Sequence, residues 1–222
     1  MENSEEFLKN IATQLSCPQG KLGFEVAERM HLNNIGMTRS AMEALPLKEN
    51  DKILEIGHGS GMHIPELFSK QKNLTYHGLE RSELMWETAK NANADLVNQQ
   101  KAVFSFSDTN TFPFKTDFFD AIYTVNTLYF WEKPVDFLNE AQRILKPGGS
   151  MVICFSPKEF MKTLPFTSYG FNLYEVDDVR KIVDHSRLQW KSYEEFSEVV
   201  ETNGNIPFVR RYVVAVCEKT IL

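Results

Sequence analysis

Lys52-Ile53-Leu54-Glu55-Ile56-Gly57-His58-Gly59-Ser60-Gly61 is a short apolar run that stops in three alternating glycines. Ile53, Leu54 and Ile56 suit a buried strand. Glycine at 57, 59 and 61 lets the backbone turn sharply, take positive φ and approach a ligand with no Cβ in between. Met62 to Lys70 then carries a helical pattern, with Pro65 where a first helical turn tolerates it. Strand, glycine turn and helix in this order form the ligand-binding corner of a doubly wound, Rossmann-like α/β sheet, mostly parallel, whose ligands sit beyond the carboxyl ends of the strands.

Spacing separates the candidate ligands. A dinucleotide fingerprint would place its third glycine at position 62, where this chain has Met62. The pattern is instead Glu55-x-Gly57-x-Gly59-x-Gly61, with a carboxylate towards the strand's end, and Glu55 joins the three glycines as a cofactor-binding candidate. It resembles the first motif of the class I S-adenosylmethionine-dependent methyltransferases of small-molecule type, the methyltransferase type 11 domain group. A tight turn that binds nothing is the plain alternative, and the rest of the chain has to decide.

Downstream, Leu74 to Leu79 reads as a second strand ending in Glu80, and Ser82 as the N-cap of a helix to about Ala92. Glu80 follows the first glycine at roughly the 20-residue spacing at which a carboxylate reaches both hydroxyls of a ribose. Arg81 and Met85 share that corner. A third strand, Ala102 to Phe106, leads to Asp108-Thr109, and a fourth runs from Ala121 to Val125. The resemblance implies that Asp108 accepts a hydrogen bond from the adenine amino group with Thr109 beside the ring, and that Asn126 lies near the methionine part of the cofactor. It also gives His58 a cofactor-side place, whereas simple packing is the other reading of that residue. Tyr129 and Trp131 are candidate walls of a substrate pocket.

A helix from Pro134 to Leu145 stops at Lys146-Pro147-Gly148-Gly149, and a fifth strand, Met151 to Phe155, follows at once. That helix stop is a further point of resemblance. Ser156 to Tyr174 is rich in Phe, Tyr and Pro. The resemblance implies a substrate-facing segment here, with Phe160 and Tyr169 as candidates. After a short helix around Val179, two strands, Gln189 to Val200 and Val209 to Cys217, flank Thr202-Asn203-Gly204-Asn205, a hairpin signal. An antiparallel terminal hairpin completes the seven-stranded sheet that the resemblance implies.

Upstream, residues 1–46 read as a helical extension, broken at Cys17-Pro18-Gln19-Gly20 and again around Gly23 and Asn33-Asn34-Ile35-Gly36. It is either a lid over the cleft or cover for a sheet edge. His31, Asn33, Asn34 and Thr38 favour the lid, and His31 and Asn34 join the substrate-pocket candidates. Residues 47–222 make up the cofactor-binding domain.

Composition narrows the partners. The 222 residues are 42% hydrophobic and 24% charged, enough for one core on both faces of a sheet. A net charge of -6 speaks against nucleic acid. No apolar run is long enough to span a membrane, and the acidic start, with Glu2, Glu5 and Glu6, is not a signal peptide. Cys17, Cys154 and Cys217 lie far apart, which suits a reducing, cytoplasmic setting and no metal cluster. Oligomeric state is not legible.

The activity implied is transfer of a methyl group from S-adenosylmethionine to a small-molecule acceptor by in-line displacement. A cofactor-binding protein without turnover, or methylation of a protein or RNA, are the alternatives. An acceptor hydroxyl of high pKa would want a general base. His31, His185 and Tyr129 are the candidates, and the sequence does not choose among them.

Overall fold

The computed structural model describes residues 4–107, 111–201 and 207–221. In chain order its elements are α1 (Glu5–Ser16), α2 (Gly20–Glu43), β1 (Lys52–Ile56), α3 (Ile64–Leu67), β2 (Thr75–Glu80), α4 (Glu83–Ala92), α5 (Ala94–Asn98), β3 (Ala102–Phe106) and β4 (Phe119–Val125). There follow α6 (Pro134–Ile144), β5 (Leu145–Phe155), α7 (Lys158–Met161), α8 (Val176–Asp184), β6 (Gln189–Glu201) and β7 (Pro207–Glu218), with short 3-10 turns at Leu128–Phe130 and Pro165–Ser168.

The seven strands form one sheet in the order β3-β2-β1-β4-β5-β7-β6. β1 to β5 pair in parallel, and β7 enters antiparallel between β5 and β6. The doubly wound, seven-stranded expectation therefore holds, hairpin included, although residues 202–205 between its strands lie outside the described residues. The order reverses at β1 and β4, so the crevice beyond their carboxyl ends is where a ligand belongs. The central strands read as nearly unbroken apolar runs because helices cover both faces. One core layer holds Leu54, Ile122, Ile153 and the α6 stripe Phe137, Leu138, Ala141 and Ile144; the other holds Ile53, Tyr123, Val152 and, from α2, Met37 and Ala41.

Three local expectations need correcting. The helix expected over Met62 to Lys70 shrinks to α3, one turn starting beside Pro65. Lys146 to Gly149 continues β5 rather than leaving it, because Gly148 N–H donates to Lys219 O and Lys219 N–H to Gly149 O, tying the segment to the chain's end. The extension is also less broken than its sequence: α2 runs unbroken through Gly23, Asn33, Asn34 and Gly36. Tertiary contact overrides the weak propensities there. A Cβ at Gly23 would lie 2.8 Å from the Pro18 backbone, and one at Gly36 would run into the Glu198 carboxylate. Arg210 of β7 donates to Asn34 Oδ1 at 2.9 Å and also to the Asn33 carbonyl, and its partner is Glu198 Oε1 at 2.6 Å. Among the described residues no helix is long and apolar enough to cross a membrane.

Candidate active site

β1 ends at Ile56, and the glycine turn follows with φ +79 at Gly57, +57 at Gly59 and +66 at Gly61. All three need glycine for their backbone, but their surroundings differ. A Cβ on Gly57 would strike the Thr127 methyl, and one on Gly61 would lie 2.8 Å from Ala89 Cβ and 2.9 Å from Ile64 Cδ1. Gly59 alone faces open space. Gly57 and Gly61 are therefore packing glycines, and Asn93 fixes the latter by donating to its carbonyl at 3.0 Å. The bare surface offered to a ligand is Gly59.

That surface opens on a cavity of about 350 Å³. Its floor is Gly57, His58 and Gly59. One side is Glu80, Arg81 and Met85 with Ser107, and the other is Val125, Asn126 and Thr127 leading to Phe130 and Trp131. Its roof is the N-terminal extension: Leu15, Ser16 and Pro18, then Ala27, Met30, His31, Asn34 and Thr38. The α2 residues recur at three- and four-residue intervals, one stripe of a helix.

Glu80, at the end of β2, is buried and fully oriented. Its Oε2 accepts from Gly59 N–H at 3.0 Å, and its Oε1 accepts from Arg81 N–H at 2.8 Å and Ser82 N–H at 2.9 Å. Oε1 is filled by its two N–H donors, and Oε2 keeps one acceptor site for a ribose hydroxyl. Ser82 caps α4 through Met85 N–H, as expected, which sets Met85 against the cavity.

Glu55 is positioned differently from a simple ligand-binding carboxylate. It lines the cavity, but its Oε2 accepts from Tyr76 Oη at 2.6 Å, Tyr123 Oη at 2.8 Å and His63 Nε2 at 2.8 Å. Burial alone would raise the Glu55 carboxyl; the charge and hydrogen bond of His63, with Tyr76, outweigh it and hold it below the usual range. Burial likewise opposes protonation of His63, and Glu55 reverses that, so the imidazole's pKa is raised. The two form a buried ion pair beneath the site. Beside it, 6.5 Å between ring centroids, stands His31. Burial and then the His63 charge lower the His31 pKa; Glu66 opposes this and Arg39 adds to it.

His58 reaches the cavity floor, yet its ring turns away: Nδ1 donates to Gly59 O at 2.8 Å, and the ring packs over Gly78 and edge-on to Phe104. Asn126 lines the cavity in a left-handed conformation, with φ 58. Its amide donates to Met37 Sδ and its oxygen accepts from Tyr129 Oη at 3.2 Å.

Other candidates fall outside. Tyr129 is buried behind Asn126; its hydroxyl accepts from Ser156 N–H at 2.6 Å and has its single proton between Asn126 Oδ1 and Ser156 O, and burial pushes the phenol well up. It braces the strand ends and does not line the cavity. His185 caps the exposed end of α8, donating from Nδ1 to Lys181 O, and does not line the cavity. Phe160 stacks on Phe208, and Tyr169 lies under Lys9. No cavity-lining residue comes from 156–174, because that segment packs its Phe171 against Tyr129 and Phe130 on their far side. Trp131 does line the cavity, stacked on Phe137 at 4.0 Å. Asp108 and Thr109 lie outside the described residues.

The sequence reading missed Met30, Phe112 and Phe137 as cavity walls, and the whole Tyr76–Glu55–His63 cluster. Phe137 was readable as a helix-stripe residue, but only folding reveals which end of the stripe reaches the site.

A methyltransferase-domain family model matches residues 54–153, from the buried core of β1 to β5. The matched segment is a methyltransferase domain, and with the fold and the glycine turn it supports reading the chain as a class I S-adenosylmethionine-dependent methyltransferase. It is 29% identical over 128 residues to an uncharacterized methyltransferase, YdaC, of Bacillus subtilis; the match covers 58% of this chain and 63% of that protein. Against a demethylmenaquinone methyltransferase of Clavibacter sepedonicus it is 27% identical over 68% of this chain and 58% of the relative. The matches thus span less than two thirds of those relatives. Among solved structures, a chain of the complex between the Haloferax volcanii Trm112 methyltransferase activator and the putative methyltransferase superposes with TM-score 0.75 and 17% identity, covering 88% of this chain and 94% of that one. That similarity concerns the fold.

The methyltransferase site fits S-adenosylmethionine on its own geometry. Gly59 leaves room for backbone contact, Glu80 offers an oriented acceptor site on Oε2 for a ribose hydroxyl, and the cavity volume is within the range of small-molecule pockets.

Proposed function

We propose that this protein transfers the methyl group of S-adenosylmethionine to a small-molecule acceptor held under α2. The observation that carries the reading is the roof: the glycine turn and Glu80 open on one cavity whose opposite wall is His31, Asn34 and Thr38 of α2. A polymeric acceptor would need an open groove, and the chain's net charge of -6 gives it no basic footprint for RNA.

In this reading Glu80 grips the ribose, Gly59 gives it room, and Arg81 and Met85 flank it. Asp108 and Thr109 hold the adenine, and Asn126 with Thr127 faces the methionine end. When bound, the sulfonium supplies an electrophilic methyl group without a metal. The protein's part is orientation, which can supply roughly 7–11 kcal/mol of the barrier, and exclusion of water. Trp131, Phe130 and Phe112 give the dry wall. Residues 1–46 act as a lid, with Arg210 and Glu198 as the point where it is fastened. Three unpaired thiols agree with a reducing, cytoplasmic setting.

Isothermal calorimetry with S-adenosylmethionine and with NAD tests the first step. Micromolar binding of the former is expected, and a preference for NAD refutes the reading. Release of S-adenosylhomocysteine with small acceptors tests the second, and a protein that binds but never turns over refutes the enzyme.

A further inference from the structure

The lid's underside carries two groups whose chemistry is still unassigned. His31 is half-buried in the cavity wall, and neither of its ring nitrogens has a hydrogen-bond partner among the described residues. Asn34 lies one helical turn on, in the same wall, and its orientation is fixed from outside. Arg210 has only donors, so the Asn34 atom it meets at 2.9 Å is the amide oxygen. What Asn34 has left to offer the cavity is therefore N–H.

The carboxylates around the cavity are already committed or peripheral. Glu55 is paired with His63, Glu80 accepts three backbone N–H groups, and Glu132 is exposed at the rim. Nothing in that set is placed to hold an ammonium group, and the His63 charge disfavours one. The wall is built for oxygen.

Resting on the methyltransferase reading, we propose that His31 takes the proton of an acceptor hydroxyl while Asn34 donates to a second oxygen next to it, so that the acceptor is a hydroxyl compound with a neighbouring carbonyl or carboxylate oxygen. Residues three apart on a helix have Cβ atoms about 5–6 Å apart, which suits two oxygens on adjacent or alternate carbons. In the step, an oxygen lone pair forms the new O–CH3 bond as the S–CH3 bond breaks. The pair of the broken bond stays on sulfur, giving neutral S-adenosylhomocysteine. The hydroxyl proton passes to His31 and from there to water. The charged groups facing His31 are His63 and Glu66 at α3 and Arg39 on α2 itself, with Glu55 of β1 behind His63. Their balance leaves the imidazole free of its proton at neutral pH. Arg210 is a positioning residue: it touches no substrate and aims Asn34.

The test begins with calorimetry on S-adenosylhomocysteine, so that failure of the methyltransferase reading shows separately, as no binding. Histidine ring signals of the full chain are then followed by NMR in that complex. Besides the ring of His77, one ring is expected to titrate below the ordinary value, to vanish in His31→Gln and to move upward in His63→Asn. A His31 that titrates at or above the ordinary value overturns the proposal. Release of S-adenosylhomocysteine is next measured with ortho-hydroxyacetophenone and ortho-hydroxybenzaldehyde against phenol, benzylamine and thiophenol. The ortho-oxygen compounds are expected to lead, with His31→Gln lowering kcat about 100-fold and removing the acidic limb of the pH profile. Asn34→Asp keeps the Arg210 contact but has no N–H, and is expected to raise the acceptor KM about 10-fold or more while leaving S-adenosylhomocysteine affinity unchanged. A preference for the amine or thiol, no turnover on either ortho-oxygen compound, or variants that behave as wild type would each overturn it. So would losses that merely track thermal unfolding.

Discussion

Glu80 Oε2 accepts from the Gly59 backbone N–H at 3.0 Å, so the carboxylate at the end of β2 is tied to the one glycine of the turn whose missing Cβ leaves open space. The two halves of the cofactor cradle, one from each strand of a parallel pair, are thus a single hydrogen-bonded unit. Replacing Glu80 by Gln substitutes an N–H2 for one acceptor oxygen and removes the charge. Loss of a charged hydrogen bond is worth about 1.5–3 kcal/mol, so Glu80→Gln should weaken S-adenosylhomocysteine about 10- to 100-fold in calorimetry. An unchanged affinity would show that the carboxylate only holds the turn.

The glycines make a second, contrasting prediction. Gly59→Val fills open space, so it should abolish cofactor binding while costing the fold only the left-handed conformation, about 1–2 kcal/mol. Gly61→Ala meets Ala89 and Ile64 as well, and overpacking adds about 1–3 kcal/mol. Its main effect should be a lower unfolding midpoint in urea. If both variants lose binding equally at equal stability, the assignment of Gly61 to packing is wrong.

How much of this was legible in the sequence depends on whether the information is local. The glycine turn, the Ser82 cap and the Glu80 spacing are local, and each sits where the sequence places it. Of the two breaks expected in α2, the one at Gly36 failed because that glycine is small for the sake of Glu198, a residue of the last hairpin, and the one at Gly23 because the Pro18 backbone packs against it. Glu55 looked like a ligand-binding carboxylate because its partners are remote. Tyr123 stands directly across from it in the β1–β4 register, and Tyr76 lies on the same face two positions from its β2 partner, Gly78. Those pairings exist only once the sheet is assembled. Phe160 and Tyr169 were drawn to the substrate by their aromaticity, which serves equally well to pack the back of Tyr129 and Phe130.

His77 on β2 gives a prediction about acid. Its ring is edge-on to Phe118 at 5.5 Å and Phe119 at 5.1 Å, and its Nδ1 is buried without a hydrogen-bond partner among the described residues. Burial, helped by the Lys52 charge, lowers its pKa to about 4. The unfolded chain therefore takes up a proton from about pH 6.5 downward while the folded chain does not, and stability is lost as pH falls from there towards 4. His77→Phe should remove that part of the acid sensitivity. Urea midpoints at pH 7.5 and 4.5 measure it, and an equal drop in both proteins would refute it.

The Glu55–His63 pair predicts a window with two edges. Glu55 has its pKa lowered in the fold, so its contribution is present above its unfolded value of about 4.5 and is lost as pH falls through the folded value. His63 has its pKa raised, so its contribution is complete below about 6.5 and is lost as pH rises through the higher folded value. Between those limits both charges are present, and removing one leaves the other buried alone, at a cost of about 3–5 kcal/mol. His63→Asn should therefore be most destabilised relative to wild type near pH 5.5 and should approach it at either extreme. Denaturant midpoints at pH 3.5, 5.5 and 9 decide the matter. A difference that stays flat across that range would mean Glu55 and His63 meet as neutral hydrogen-bond partners, and the imidazolium invoked beside His31 would go with it.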